Sequence, residues 1–494
     1  MKKINFVLIT LIIITGSCKR GAISEQKNTE TDENISNVII YPAPENEGLN
    51  TMFKVTADGT DVPVYNIKVA GKDRNLAMDD KNNSAQYFET TGMTYFDVRK
   101  GTATVTVSVD NQITKAKILP SSYGIIPRIN GNSLSFDVDS PKNLTVEING
   151  DEIHSLHIFV NEEETDLPDP KDPDVVYFGP GSYRFPIGEL EDGMTVYVAG
   201  GAIVRCYVGP HEWYTINNHS GLKNYNKFFM YDLTAKNITF RGRGIVDQDG
   251  IPTHARKTVR IHGENISMEG VIFRNPSECT IDILNSKDVH VNNIKILGYR
   301  ADTDGINISS SENVTVENCF IRTLGNAVSV KSVADYGPAK NIEVKNCIIW
   351  NELSHALSVG SQITNQIDNV VFSGCEIIRD KGRKSLLSVH QGDAGSARNI
   401  RFENINIEET NNFASLVIEK DIWSTDVQYG QIGDVLFKNI TLVNKPVASG
   451  MKMKGYDKLH TVRGIVIENV IIDGKKMTKD NIITNEFVDD IAVK

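Results

Sequence analysis

From residue 237 onward a short phrase recurs in which an asparagine is followed by an apolar, a mostly polar and another apolar residue. It reads NITF (237–240), NISM (265–268), NVTV (313–316), NIEV (341–344), NVVF (369–372) and NIRF (399–402), with DVHV (288–291), DVLF (434–437) and GIVI (464–467) as looser copies. Each copy is trailed by a companion: VRI (259–261), IDI (281–283), INI (306–308), VSV (328–330), LSV (357–359), LSV (387–389), LVI (416–418) and MKM (451–453). The companions start 22, 25, 22, 29, 30, 29 and 35 residues apart, from 281−259 through 451−416. Alternation of apolar and polar positions is the period of a strand with one buried face, and a repeat of this length means stacked structural units. One coil of a parallel β-helix per repeat is therefore predicted, with loops absorbing the differences in length. A helical solenoid would need apolar spacings of three and four, which the phrases lack. The asparagine heading each phrase suits a tight corner, because its side chain tolerates left-handed backbone angles and can bond neighbouring peptide groups.

The texture differs between about 38 and 165, where NVIIYPAP, FKVTADGTDVPVYNIKVAG, TATVTVSV, LSFDVD and LTVEING alternate between Gly, Asn and Pro turns. This reads as an antiparallel β-sandwich. The acidic, proline-broken stretch 162–174 marks the boundary, so the division predicted is a sandwich over 38–165 and a β-helix over 174–494. An aromatic insertion at 208–232 interrupts the first coils, as a groove wall or as a packing flap. Cys319, Cys347 and Cys375 fall at one place in consecutive copies, 28 residues apart (347−319 and 375−347). Neighbouring coils point their Cβ atoms in parallel, so a buried thiol ladder is expected rather than disulfides.

Composition narrows the class. A net charge of −11 argues against a nucleic-acid partner and shows no basic patch for a membrane surface. Residues 1–18 carry two lysines, an apolar run too short for a comfortable span, and small residues before Cys18. They resemble a bacterial lipoprotein signal, which implies lipidation at Cys18; an ordinary secretory signal cleaved nearby is the alternative. Residues 19–37 then form a polar tether, and the expected location is the cell envelope, lipid-anchored, or outside the cell. No ligand-type spacing of His or Cys appears, so neither a metal nor a cofactor is expected. A monomer is expected.

Stacking turns the repeat into columns. Two positions before the first residue of each companion stand Lys257, Cys279, Asp304, Asn326, His355 and Ser385. One position after it come Arg260, Asp282, Asn307, Ser329, Ser358 and Ser388, and three after it His262, Ser309, Lys331, His390, Glu419 and Lys454. A solenoid exterior is solvated, so any one of these is an ordinary surface group. The concentration of Asp, His and Lys between about 280 and 390 marks a candidate site.

Several phrases over 174–494 resemble the polygalacturonase-type glycoside hydrolases of family 28, and more loosely the dextranase-type β-helix enzymes that carry an N-terminal sandwich. GRGIVDQDG (242–250) is similar to Gly-x-Gly-x-Ile-Asp-Gly-Gln-Gly, NPSECTIDI (275–283) to the Asn-Ser-Pro-x-Trp-Thr stretch, TDGINI (303–308) to the Asn-Thr-Asp-Gly block, and SHALSVGS (354–361) to the Gly-His-Gly block. The resemblance implies an all-β fold, a pectin-lyase-like right-handed parallel β-helix behind a sandwich, and inverting hydrolysis of a polysaccharide or oligosaccharide. Two departures stand out. The family's Asp-Asp pair is replaced by Gly325 and Asn326, and its Arg-Ile-Lys segment by Leu386, Leu387 and Ser388, which argues against plain galacturonan.

Inverting enzymes hold two carboxyl groups about 6.5–9.5 Å apart, one to protonate the leaving oxygen and one to activate water. If 301–308 is extended, Asp302 and Asp304 project from one face about 6.6 Å apart; the alternative is that Asp302 only caps a corner. Asp304 with either Asp302 or Asp282 is the expected acid and base pair. His355 and Lys331 are expected to hold the sugar, with Asn326, His390, Arg260 and Glu419 completing the binding set. Two other readings stay open: a polysaccharide lyase using Lys331, His355, His390 and Arg383, and a non-catalytic glycan-binding lipoprotein.

Overall fold

The computed structural model describes residues 36–71, 88–184, 188–216, 223–225, 229–444 and 448–494. Cys18, the signal and the tether up to residue 35 lie outside the described residues. Each middle coil contains three strands, as in Lys287–Asn292, Lys295–Leu297 and Ile306–Ser309. The companion phrases stack into an eleven-stranded sheet, parallel throughout, and the other two strands of each coil join one 21-stranded sheet. This is the parallel β-helix that the repeat predicts. Ile281, Ile283, Ile306, Ile308, Val328 and Val330 point inward and are fully buried, and Cys319, Cys347 and Cys375 continue the core as free thiols.

The corner asparagines adopt left-handed angles, with φ of 56° at Asn237, 59° at Asn265 and 56° at Asn313, Asn341 and Asn369. Their amides bond one another rather than peptide groups. Asn265 Nδ2 donates to Asn237 Oδ1 at 2.7 Å, Asn341 to Asn313 at 3.1 Å and Asn369 to Asn341 at 2.9 Å. Once coils stack in register, a side chain's nearest acceptor is its own copy in the coil before.

Two details differ from the sequence reading. Leu387 pairs with Ala414 and Val389 with Leu416, so the seventh copy of the companion is 414–416 rather than 416–418. A slip of two preserves the inward face, and hydrophobic pattern alone cannot detect it. Residues 301–305 are not extended: Asp302 has φ 55° in a turn, and the strand begins only at Ile306.

In the N-terminal part a six-stranded and a five-stranded sheet face each other across a core that includes Val55, Phe96, Val105, Phe136 and Ile158. The pairing is antiparallel except that Leu156–Glu162 runs parallel to Phe88–Val98. The latter strand gives no alternating signal because both its faces are covered. Phe96 enters the sandwich core, whereas Met93 and Tyr95 join Phe159, Ile272, Leu297, Phe320 and Trp350 where the six-stranded sheet packs on the solenoid. That junction also buries Arg322 against Glu352 at 2.9 Å and Arg274 against Asp247 at 2.8 Å. The sandwich thus covers the strands just before the companion sheet.

Candidate active site

The turns that lead from the sandwich-covered strands into the companion sheet line a cleft of about 620 Å³. Asp302, Asp304, Asn326, Lys331, His355 and His390 all border it. Asp304 stands at its centre: its Oδ1 accepts the Asn326 backbone N–H at 2.7 Å, its Oδ2 accepts Asn307 Nδ2 at 2.9 Å, and Lys331 Nζ lies 3.8 Å from Oδ2. Glycine at 325 makes this possible, since a Cβ there would stand 2.3 Å from Asp304 Oδ1.

Asp302 turns to His254, whose Nε2 lies 3.2 Å from its Oδ2. His355 is fixed by a 2.6 Å bond from Nδ1 to the Ser385 carbonyl, which leaves Nε2 as the acceptor. Burial pulls its pKa down to about 3 against the raising effect of that bond, so the imidazole is neutral. His390 donates from Nε2 to the Glu419 carbonyl at 2.8 Å, with Asp421 3.8 Å from Nδ1.

Three expected members stand apart from the cleft lining. Asp282 is engaged by Lys257 at 2.8 Å, and the lysine, not the aspartate, reaches the cleft. Burial lowers the Lys257 ammonium, but Asp282, Cys279 and Glu278 outweigh it and hold the group above its ordinary value. Arg260 is paired with Asp232 on the preceding coil. Glu419 faces Lys454 at 3.1 Å, and the corrected register explains it: His390 lies beside Val417, so Glu419 is two residues beyond that column.

Beside the column member Lys257, the cleft also contains His254, Glu278, Lys384, Asp421 and Trp423, which the columns do not flag. Most sit in turns or loops, where no strand period applies. Lys384 supplies a cation on the coil whose Leu386 and Leu387 replace the family's Arg-Ile-Lys, both leucines being fully buried. Glu278 is strongly perturbed. Burial raises its carboxyl to about 7 despite the opposing charges of Lys257 and His254, and its Oε2 is buried with no hydrogen-bond partner. Among the described residues no three His, Cys, Asp or Glu side chains are grouped to hold a metal.

A parallel β-helix with an acid-rich, histidine- and lysine-bearing cleft at the mouth of one sheet defines a class of solenoid that presents a grooved polar surface. The profile of glycosyl hydrolases family 28 matches residues 228–488, more than half of the chain, and the chain belongs to that family. An exopolygalacturonase of Arabidopsis thaliana is 27% identical over 201 residues, covering 39% of this chain and 45% of the relative. A probable endopolygalacturonase D of Neosartorya fischeri is 28% identical over 181 residues, 35% of this chain and 36% of the relative. The match thus spans less than half the length of either relative. Among solved structures, Dex49A from Penicillium minioluteum superposes with a TM-score of 0.58 over 93% of this chain and 96% of its own, at 13% identity, a likeness of fold.

Proposed function

We propose that this protein is a glycoside hydrolase that cleaves O-glycosidic bonds of a polysaccharide or oligosaccharide by an inverting acid/base mechanism. The observation that carries the reading is Asp304, an open-cleft carboxylate held by the Asn326 N–H and the Asn307 amide beside Lys331 and a neutral His355. Both its oxygens accept hydrogen bonds, which suits it to take a proton from an attacking water. Family membership supports the reaction type.

Plain galacturonan is not the substrate we propose, because Leu386 and Leu387 point into the core where the family presents its carboxylate grip. Lys331 and Lys384 suit a sugar that carries an anionic group in a different place. We propose also that the chain is exported and lipid-anchored through Cys18, on the strength of the signal-like residues 1–18.

The test is a screen of polygalacturonic acid, rhamnogalacturonan and dextran, scored for reducing ends, for the ultraviolet absorbance of an unsaturated uronate, and for the anomer first released. Hydrolysis predicts new reducing ends without that absorbance, an inverted first anomer, and a loss of about 10²–10⁴ in kcat for Asp304→Asn. Unsaturated products would convert the reading to elimination. An Asp304→Asn protein with full activity would refute the assignment.

A further inference from the structure

We propose that Glu278 is the proton donor of this cleft, protonating the leaving glycosidic oxygen where the family's Asp-Asp pair is absent. The proposal rests on the hydrolase reading above. Four carboxyl side chains line the cleft: Glu278, Asp302, Asp304 and Asp421. Two accept hydrogen bonds and a third faces an imidazole. Asp304 accepts from Asn326 and Asn307, Asp302 faces His254, and Asp421 Oδ1 caps its own loop by accepting the Trp423 N–H at 2.8 Å while Oδ2 faces His390. Glu278 differs, because its Oε2 is buried and no donor reaches it. A buried carboxyl oxygen that accepts no hydrogen bond disfavours the ionised form, and the neutral form is the one a proton donor needs.

Position supports the same role. The Thr280 N–H bonds the Asp304 carbonyl at 2.8 Å, so the turn bearing Glu278 stacks directly on the turn bearing Asp304. Stacked coils lie about 4.8 Å apart, which sets the two carboxyls on adjoining rungs of one cleft. The charged groups around Glu278 are Lys257, His254, Asp304 and Asp282. The cations oppose protonation and the two aspartates favour it; burial, the largest influence, acts with the aspartates against the cations and raises the carboxyl to about 7.

In the step proposed, the Glu278 proton passes to the glycosidic oxygen as the bond from that oxygen to the anomeric carbon breaks. A water oxygen attacks the anomeric carbon from the opposite face and gives its proton to Asp304. The products are a hemiacetal sugar and the released hydroxyl of the next unit. Glu278 ends ionised and Asp304 protonated, and exchange with solvent resets both.

The experiment compares wild type, Glu278→Gln and Glu278→Asp on polygalacturonic acid, rhamnogalacturonan and dextran, with kcat and KM measured from pH 4 to 9 and folding checked by circular dichroism. The expected result is a wild-type rate that falls as pH rises through about 7. Glu278→Gln should lose about 10²–10⁴ in kcat with KM little changed and without that alkaline limb, and Glu278→Asp should restore part of the rate together with the limb. A Glu278→Gln enzyme within tenfold of wild type, or one that keeps the limb, overturns the assignment while leaving the hydrolase reading intact. A wild type that cleaves none of the three glycans overturns both. Should Glu278→Gln fail to fold, the wild-type profile and Glu278→Asp decide, and a wild type with no alkaline limb between pH 6 and 8 refutes the proposal.

Discussion

Gly325 offers the sharpest test of how the cleft is built. A Cβ at this position would stand 2.3 Å from Asp304 Oδ1, 2.6 Å from Asp304 N and 2.8 Å from Thr303 C. Ordinary contact begins near 3.5 Å, so alanine demands a shift of about 1 Å from Asp304 or from the turn that carries it. The carboxylate is not free to yield, since Asn326 and Asn307 hold its two oxygens at 2.7 and 2.9 Å. Losing one such charge-assisted bond costs about 1.5–3 kcal/mol. A 1 Å misplacement of a catalytic group costs about 10² in rate, equivalent to about 2.7 kcal/mol of activation free energy. Gly325→Ala should therefore lower kcat about 100-fold, with a stability loss of about 1–3 kcal/mol from overpacking. Gly325→Asp restores the residue type of the family, yet it should fare worse, because it adds a second carboxylate against Asp304 in a space that has no room for a methyl group. Reducing-end release and thermal melting on the two variants measure both effects. A Gly325→Ala enzyme with kcat within threefold of wild type and an unchanged melting point would refute the reasoning, and so would a gain of activity in Gly325→Asp.

Three further outcomes are expected. Asn341→Ala loses both ladder bonds and must hold φ at 56° with a Cβ; it should cost about 2–3 kcal/mol in urea unfolding, and Asn341→Gly about 1 kcal/mol less, so an alanine variant as stable as the glycine one would contradict the corner role. His157 is fully buried between Thr145 and Arg322, and burial, aided by the Arg322 charge, pulls its pKa well below the ordinary value. The unfolded chain then takes up a proton below about pH 6.5 that the folded chain refuses, so stability is lost as pH falls by up to about 1.4 kcal/mol per unit; His157→Gln should show a correspondingly flatter loss on acidification, and parallel curves would remove His157 from the account. For Cys18, metabolic labelling with a radioactive fatty acid should mark the wild type and place it in the membrane fraction, while Cys18→Ser should be unlabelled.

The solenoid was legible because its core is a one-dimensional repeat: inward Ile, Val and Leu recur two residues apart, and an Asn corner marks where most coils begin. The Cys319, Cys347 and Cys375 column could be read for the same reason. Phe88–Val98 was not legible, since covering both faces of a strand erases its alternation. Glu419 was misplaced because a two-residue slip leaves the inward pattern unchanged, and only the pairing of Val389 with Leu416 reveals it. Asp304, Asn326, Lys331 and His355 were legible as column members. His254, Glu278 and Lys384 were not, because they sit in turns whose shape depends on the coils around them.

Those turns are also where this chain departs from its family, and the departures are physically linked. A side chain at 325 and the present position of the Asp304 carboxylate are mutually exclusive, since Oδ1 occupies the space a Cβ would need. Removing that side chain lets Asp304 press against the next coil and take the Asn326 N–H. It also takes away the neighbouring carboxyl that would have shared the work. On the preceding coil, Glu278 carries a long side chain with a buried, unpartnered oxygen beside Cys279, where the family motif has tryptophan. Gly325 lies one coil after Asp304 and Glu278 one coil before it, so in the assignment proposed above the second carboxyl of the cleft stands two coils toward the N-terminus from the position of the family's pair, with a buried oxygen.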